Sequence, residues 1–201
     1  MIYNGYRLYP GFLESAGQVQ LLTRIRDILQ AAPLYTPHMP RTGKPMSVRM
    51  SNCGTLGWVS DKQGYRYQDH HPETGRPWPE IPRDLLDIWA ELTGYAAPPE
   101  ACLINYYGAR ARLGLHVDKD EIDMKAPILS ISLGDTALFR MGGRARKDPT
   151  CSIRISSGDV LVMAEEARRA HHGVDRIYPG SSTLLEEGGR FNLTLRRVNL
   201  P

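Results

Sequence analysis

Residues 113–121 read L-G-L-H-V-D-K-D-E, and in this run His116 and Asp118 are side chains able to hold a transition metal. On a helix, positions i and i+2 diverge. On a strand they share a face with Cα atoms roughly 6.6 Å apart, so both can reach one ion. A third donor is offered by R-R-A-H-H-G-V, from which either His171 or His172 can join, since neighbours on an extended chain face apart. Two imidazoles and one carboxylate on one face of an octahedral ion leave three positions open, the arrangement of non-haem Fe(II) oxygenases. Those positions suit a bidentate cosubstrate and O2. Taken alone, H-x-D also fits a solvated polar strand edge.

A second stretch, residues 189–197 (GRFNLTLRR), alternates with the period of a strand: Arg190, Asn192, Thr194 and Arg196 share one face, Phe191, Leu193 and Leu195 the other. The polar face is either the wet outer side of an antiparallel sheet or the lining of a cleft for a small anion. A planar, forked guanidinium grips a carboxylate through two parallel hydrogen bonds, which lysine cannot reproduce. Beside an iron centre the fitting anion is a dicarboxylate cosubstrate. Asp69, His70 and His71 form another dense group, read as a polar loop, and His38, between two prolines, reads as exposed.

Scaffolding for these groups is legible in outline. Residues 2 to 9 read as one strand ending at Pro10-Gly11. Ser15 can cap a helix in which Val19, Leu22, Ile25, Ile28 and Leu29 recur at helical spacing up to about Ala32. Residues 33–82 are rich in Pro, Gly and aromatics and read as loops and hairpins, with short strands at 46–52 and 64–68. A second helix starts near Pro82, puts Leu85, Ile88, Trp89 and Leu92 on one face and stops at Gly94. After Pro99 come short apolar and β-branched runs separated by Gly, Asp and Pro turns, the pattern of a β-sandwich or barrel with helices covering one sheet.

With 201 residues, 41% of them hydrophobic, the chain is long enough for one domain, or at most a domain with a lid or subdomain. The formal net charge of +3 permits an anionic partner, and Arg140, Arg144, Arg146 and Lys147 cluster, with pairs at Arg168–Arg169 and Arg196–Arg197. Cys53, Cys102 and Cys151 are far apart and lack C-x-x-C spacing, which argues against a disulfide framework and a zinc finger and for a reducing compartment. No apolar run has the length of a membrane span and no signal peptide is legible, so a cytoplasmic protein with no membrane partner is expected.

His116-Val117-Asp118, His172-Gly173 and residues 190–196 (RFNLTLR) together resemble the AlkB family of Fe(II)- and 2-oxoglutarate-dependent dioxygenases. The likeness extends through 46–58 (MSVRMSNCGTLGW), 63–67 (QGYRY), 101–107 (ACLINYY), 115–121 (LHVDKDE) and 126–134 (APILSISLG). It implies a mainly β fold with flanking helices: a double-stranded β-helix, or jelly roll, at 100–201, an N-terminal strand and helix at 1–45, a nucleotide-recognition lid at 46–80 and a helix at 81–99. It implies His116, Asp118 and His172 as iron ligands and catalytic centre, and Asn105, Tyr107, Arg190, Asn192, Thr194 and Arg196 around 2-oxoglutarate, with Arg190 on the carboxylate remote from iron. On the substrate side it implies Trp58 stacking on the damaged base, Tyr65 at the nucleic-acid backbone, Asp120 at the base edge, and Met50, Ser130 and Arg146 as further contacts. Met163 departs from a tryptophan of the family.

The activity implied is oxidative demethylation of N-alkylated bases, of the 1-methyladenine and 3-methylcytosine type, in single- or double-stranded DNA, with RNA a further candidate, by a monomer. Fe(II), 2-oxoglutarate and O2 hydroxylate the alkyl carbon, and aldehyde is released. The other classes open to this sequence are a 2-oxoglutarate dioxygenase or cupin-like metalloprotein acting on protein or small molecules, and a nucleic-acid binder without catalysis.

Overall fold

Asn4-Gly5 breaks the single strand expected at residues 2 to 9. The computed structural model, which describes residues 2–201, folds this stretch as β1 (Ile2–Tyr3) and β2 (Tyr6–Tyr9), paired across a two-residue turn. Both turn residues have positive φ, 45° at Asn4 and 83° at Gly5, the backbone of the hairpin turns that Asn-Gly favours.

Helix α1 (Ser15–Ala31) ends against Ala32, before Pro33, as its pattern requires, but its N-cap is Glu14 with no side-chain cap bond, so Ser15 is not the cap. Its buried stripe is Leu21, Leu22, Ile25 and Ile28. Val19, expected on that stripe, lies to its far side and is 56% exposed. Helix α2 (Arg83–Thr93) follows Pro82 and closes on Gly94, whose φ of 61° suits a residue without a Cβ. It buries Leu85 and Trp89, and the Trp89 indole donates to the Ala97 carbonyl at 3.1 Å.

Between the helices lie β3 (Val48–Gly54), β4 (Gly57–Asp61) and β5 (Gly64–Gln68); after α2 come β6 (Ala101–Tyr107), β7 (Leu113–His116), β8 (Ile128–Gly134), β9 (Thr136–Met141), β10 (Cys151–Ile155), β11 (Val160–Met163), β12 (His172–Tyr178) and β13 (Arg190–Arg196). One sheet has the order β1-β2-β11-β8-β13-β6-β3, a second β10-β9-β12-β7, and β4–β5 is a separate hairpin. All pairings are antiparallel. The architecture is the expected jelly roll, with β12 added where no strand was read. β3 bears out the short strand read at 46–52 but not the loop-and-hairpin character read for its surroundings: it is a strand of the large sheet, buried at Val48, Met50, Ser51, Asn52 and Cys53.

Alternation along each strand decides what the two sides of the large sheet do. Cys53, Cys102, Ile104, Leu129, Ile131, Leu133, Val160, Val162, Phe191, Leu193 and Leu195 pack with Leu22, Ile25, Leu85 and Trp89 of the helices. Residues of the opposite parity, such as Met50, Leu103, Tyr107, Leu161 and Met163, join Phe139, Met141, Ile155, Val174 and Ile177 of the smaller sheet. The helices therefore seal one face, and the space between the sheets is left for chemistry.

Candidate metal centre

Strand β12 lies antiparallel to β7 with His172 directly opposite His116, and the imidazole centroids are 4.5 Å apart. β7 stops at His116, so Asp118 sits on the loop beyond rather than on the same strand, and the loop folds its carboxylate back toward both rings. Asp118 Oδ1 is 3.6 Å from His116 Nε2, and Oδ2 is 3.8 Å from His172 Nε2. Ligand atoms of the three residues all lie within 4.8 Å of one another. His116 Nδ1 meets the Gly114 carbonyl at 2.8 Å and His172 Nδ1 the Ala170 carbonyl at 3.1 Å. Those contacts place the ring proton on Nδ1 and turn each Nε2 lone pair to the shared space. His171, the other choice for the third ligand, instead turns its Nδ1 to the Gly143 carbonyl, at 3.3 Å.

Burial, then the neighbouring His116, pushes His172 down to about 4, so it is a neutral ligand at pH 7. Burial works against ionisation of Asp118, but Arg196, His172 and His116 outweigh it and hold its carboxyl well below the usual carboxylate range. The donor set of two imidazoles and one carboxylate fits a ferrous ion.

Gly173 lets β7 and β12 approach at this point. A Cβ there would stand 2.6 Å from the Leu113 carbonyl oxygen and 3.1 Å from the Gly114 carbonyl. Because both are backbone atoms, Gly173→Ala is expected to push the strands apart and separate the two histidines. Mn(II) titration should weaken by about tenfold or more, on the scale set by lost ligand support, with a lowered melting temperature; unchanged binding would refute this role.

The polar face of β13 points between the sheets, with Arg190, Asn192, Thr194 and Arg196 all buried, so the solvated-edge alternative fails. Arg190, only 2% exposed, donates from Nη2 to Ser132 Oγ at 2.8 Å and lies with Cζ 5.4 Å from the Tyr107 ring centroid. Its Nε and Nη1 have no partner, and neither has Asn105 Oδ1. Leaving a buried donor unpaired costs about 1–3 kcal/mol, so two unpartnered guanidinium donors in this wall suit an anionic ligand. Tyr107, also buried, has its phenol pushed up to about 12 by that burial and stays protonated.

Other members of the expected cosubstrate set are tied to the protein. Asn192 Nδ2 donates to Ser130 Oγ (2.7 Å) and the Ile131 carbonyl (3.0 Å), and its Oδ1 accepts from Thr194 Oγ1 at 3.1 Å. Ser130, expected at the substrate, is thereby turned to Asn192. Arg196 donates from Nη2 to Asp118 Oδ2 at 2.8 Å. That bond occupies one carboxylate oxygen and leaves Oδ1 for a metal.

Three residues beside Asp118 take roles that their sequence context did not assign, Tyr67 having read only as part of an aromatic lid suited to a stacked nucleotide. Arg168 donates to the Asp118 carbonyl (2.6 Å), the Ala126 carbonyl (3.0 Å) and Glu121 Oε2 (2.9 Å), while Tyr67 donates to Glu121 Oε1. Arg168 had read as half of an exposed basic pair. It lies on a short turn, Ala167–Arg169, where no periodicity separates a buried arginine from its exposed neighbour.

The β4–β5 hairpin presents Trp58 and Tyr65, whose rings stack 5.5 Å apart at 18°, with Tyr65 45% exposed. Trp58 Nε1 donates to Asp120 Oδ2 at 2.8 Å, and the Trp58 backbone is held on both sides by the Asn52 amide, each bond 3.0 Å. Met50 is buried opposite Asn105 in the β3–β6 register. Arg146 lies on an exposed loop and donates to the Leu115 carbonyl at 2.8 Å. His38 is exposed as expected. His71 is not part of a polar loop surface: it is 1% exposed, accepts at Nδ1 from the backbone of Glu73 and Thr74, and meets the Pro33 carbonyl at Nε2.

Comparison with known proteins extends these findings. The model of the 2OG-Fe(II) oxygenase superfamily matches residues 5–196. The chain is 54% identical to an alpha-ketoglutarate-dependent dioxygenase AlkB homolog of Caulobacter vibrioides, over 96% of this chain and 88% of that one. It is 41% identical to the alpha-ketoglutarate-dependent dioxygenase AlkB of Escherichia coli, over 89% and 84%. Among solved structures, that of OsALKBH1 matches with a TM-score of 0.85 at 31% identity, covering 98% of each chain.

Proposed function

The chain belongs to the 2OG-Fe(II) oxygenase superfamily, in its AlkB branch, and from that premise we propose that it oxidatively demethylates N-alkylated bases of the 1-methyladenine and 3-methylcytosine type in nucleic acid. Two more distant relatives are named as a DNA and a tRNA demethylase. The observation that carries the reading is the convergence of His116, Asp118 and His172 within 4.8 Å, in the same inter-sheet space as a buried arginine with two idle donors.

When bound, Fe(II) with 2-oxoglutarate and O2 supplies the oxidising equivalents that hydroxylate the alkyl carbon, leaving succinate and CO2. His116 and His172 offer Nε2 because backbone carbonyls hold their Nδ1 protons. Asp118 offers Oδ1 while Arg196 secures Oδ2. Arg190, with Nε and Nη1 unpartnered, would hold a carboxylate of 2-oxoglutarate, and Asn105 and Tyr107 line the wall beside it. Asn192, Thr194 and Ser130 brace that wall through their mutual hydrogen bonds.

Methylated ring edges are hidden inside a duplex, so the target base must leave its stack, at a cost of a few kcal/mol that is least for damaged bases. Trp58 and Tyr65 furnish an aromatic platform for it, with Met50 in the β3–β6 wall. Asp120 faces the cationic ring of the lesion, a charge that an undamaged base lacks. Arg144, Arg146 and Lys147, all exposed on one loop, suit phosphates and make binding salt-dependent. The hydroxylated adduct then collapses to the free base and an aldehyde.

Incubating the protein with Fe(II), 2-oxoglutarate and an oligonucleotide bearing one 1-methyladenine should remove 14 mass units, about one CH2, per strand, with succinate formed in equal amount. Intact methylated strand alongside unconsumed 2-oxoglutarate would sink the proposal. Parallel DNA and RNA strands rank the two substrates.

A further inference from the structure

Arg168 and Glu121 form a buried ion pair at 2.9 Å, both side chains 2% exposed. The pair closes a ring. Arg168 holds the Asp118 carbonyl and the Glu121 carboxylate, Glu121 lies 3.5 Å from Arg196 Nε, and Arg196 holds the Asp118 carboxylate. Asp118 is thus gripped twice, at its backbone by one arginine and at its side chain by another. Burying an ion pair is a poor way to gain stability, since desolvation offsets the attraction. Its value here is geometric. Residues 117–120 lack regular secondary structure, and without such a grip nothing in a ladder would fix where the Asp118 carboxylate stands.

We propose that Arg168 and Glu121 are positioning residues for the metal centre: they pin the loop after β7 so that Asp118 meets the two histidines, and through Tyr67 they anchor the β4–β5 hairpin to the same loop. The inference rests on the reading of His116, Asp118 and His172 as iron ligands. Arg168 touches no ligand atom and acts through the Asp118 backbone. Its fork matters, because three acceptors in three directions are served by one planar group, and a lysine ammonium on a flexible stem cannot hold them in one arrangement.

Mn(II) titration of the full chain, with no nucleic acid present, reads positioning apart from turnover. Removing Arg168 alone strands the Glu121 carboxylate, so the informative change is Arg168→Met with Glu121→Gln, which deletes both charges together. About 10- to 100-fold weaker Mn(II) binding is expected, the loss typical of removing support behind a metal ligand, at a temperature where melting curves show the variant folded. Arg168→Lys, which keeps the charge, should fall between the two and carries the test if the double variant fails to fold. Arg169→Met, at the exposed neighbour, should bind as the parent does. A purely structural pair would lower the melting temperature and leave Mn(II) affinity of the folded protein unchanged, and that result in the folded variants overturns the proposal. Failure of the parent itself to take up Mn(II) would instead overturn the iron reading beneath it.

Discussion

Asp118→Ala is expected to abolish demethylation and metal uptake together while nucleic-acid binding survives. The substitution removes the one anionic donor of the triad and leaves Arg196, 6% exposed, with only Glu121 at 3.5 Å as a counter-charge. The fall in turnover should exceed the about 10- to 100-fold that follows loss of a ligand's outer support. Truncating one partner of a buried ion pair also costs about 3–5 kcal/mol, so the metal-free variant should melt well below the parent. Two measurements separate these effects: Mn(II) titration at low temperature, and anisotropy of a labelled methylated oligonucleotide. Retention of turnover within about tenfold (about 1.4 kcal/mol) would exclude Asp118 from the centre, and parallel loss of oligonucleotide binding would mean that the β4–β5 hairpin has come apart as well.

Arg190→Met should act on the other half of the site. Its two idle donors represent two charge-assisted hydrogen bonds to a carboxylate, each contributing about 1.5–3 kcal/mol. Their loss predicts a rise in KM for 2-oxoglutarate of about 100-fold or more, since each 1.4 kcal/mol is a factor of ten, while Mn(II) affinity is preserved. Methionine fills a similar volume and leaves no charge in the wall, so the parent's fold should persist. Arg190→Lys keeps the charge but loses the fork and should recover only part of the affinity. An unchanged KM in Arg190→Met would mean that the donors left idle in this pocket serve some other group.

These two residues were accessible from sequence because each belongs to a periodic run. In β13 the alternation of Arg190, Asn192, Thr194 and Arg196 with Phe191, Leu193 and Leu195 is unbroken, so the faces could be assigned before the sheet was known, although not which face was wet. His116 and Asp118 were paired on the assumption of a continuing strand. The strand ends at His116, yet the pairing holds because the loop, rather than the pleat, returns Asp118 to the same space. Arg168 and Glu121 were invisible for the complementary reason: they meet across 47 positions from two irregular segments, and neither carries a pattern. The hairpin at Asn4-Gly5 had a recognisable turn dipeptide, masked by the apolar and aromatic Ile2, Tyr3, Tyr6, Leu8 and Tyr9 around it. β12 was missed because His172, Gly173, Asp175 and Arg176 interrupt its apolar positions.

β13 lies between β8 and β6, hydrogen-bonded along its whole length on both sides. Sliding it by a single position against its neighbours would swing two guanidiniums beneath the helices and thrust a phenyl ring and two leucines into the cavity. The strand therefore proofreads itself. A copy of this chain that assembles out of step forfeits its interior and its chemistry in one stroke, so a pool of well-folded but idle molecules is not an outcome this architecture readily permits.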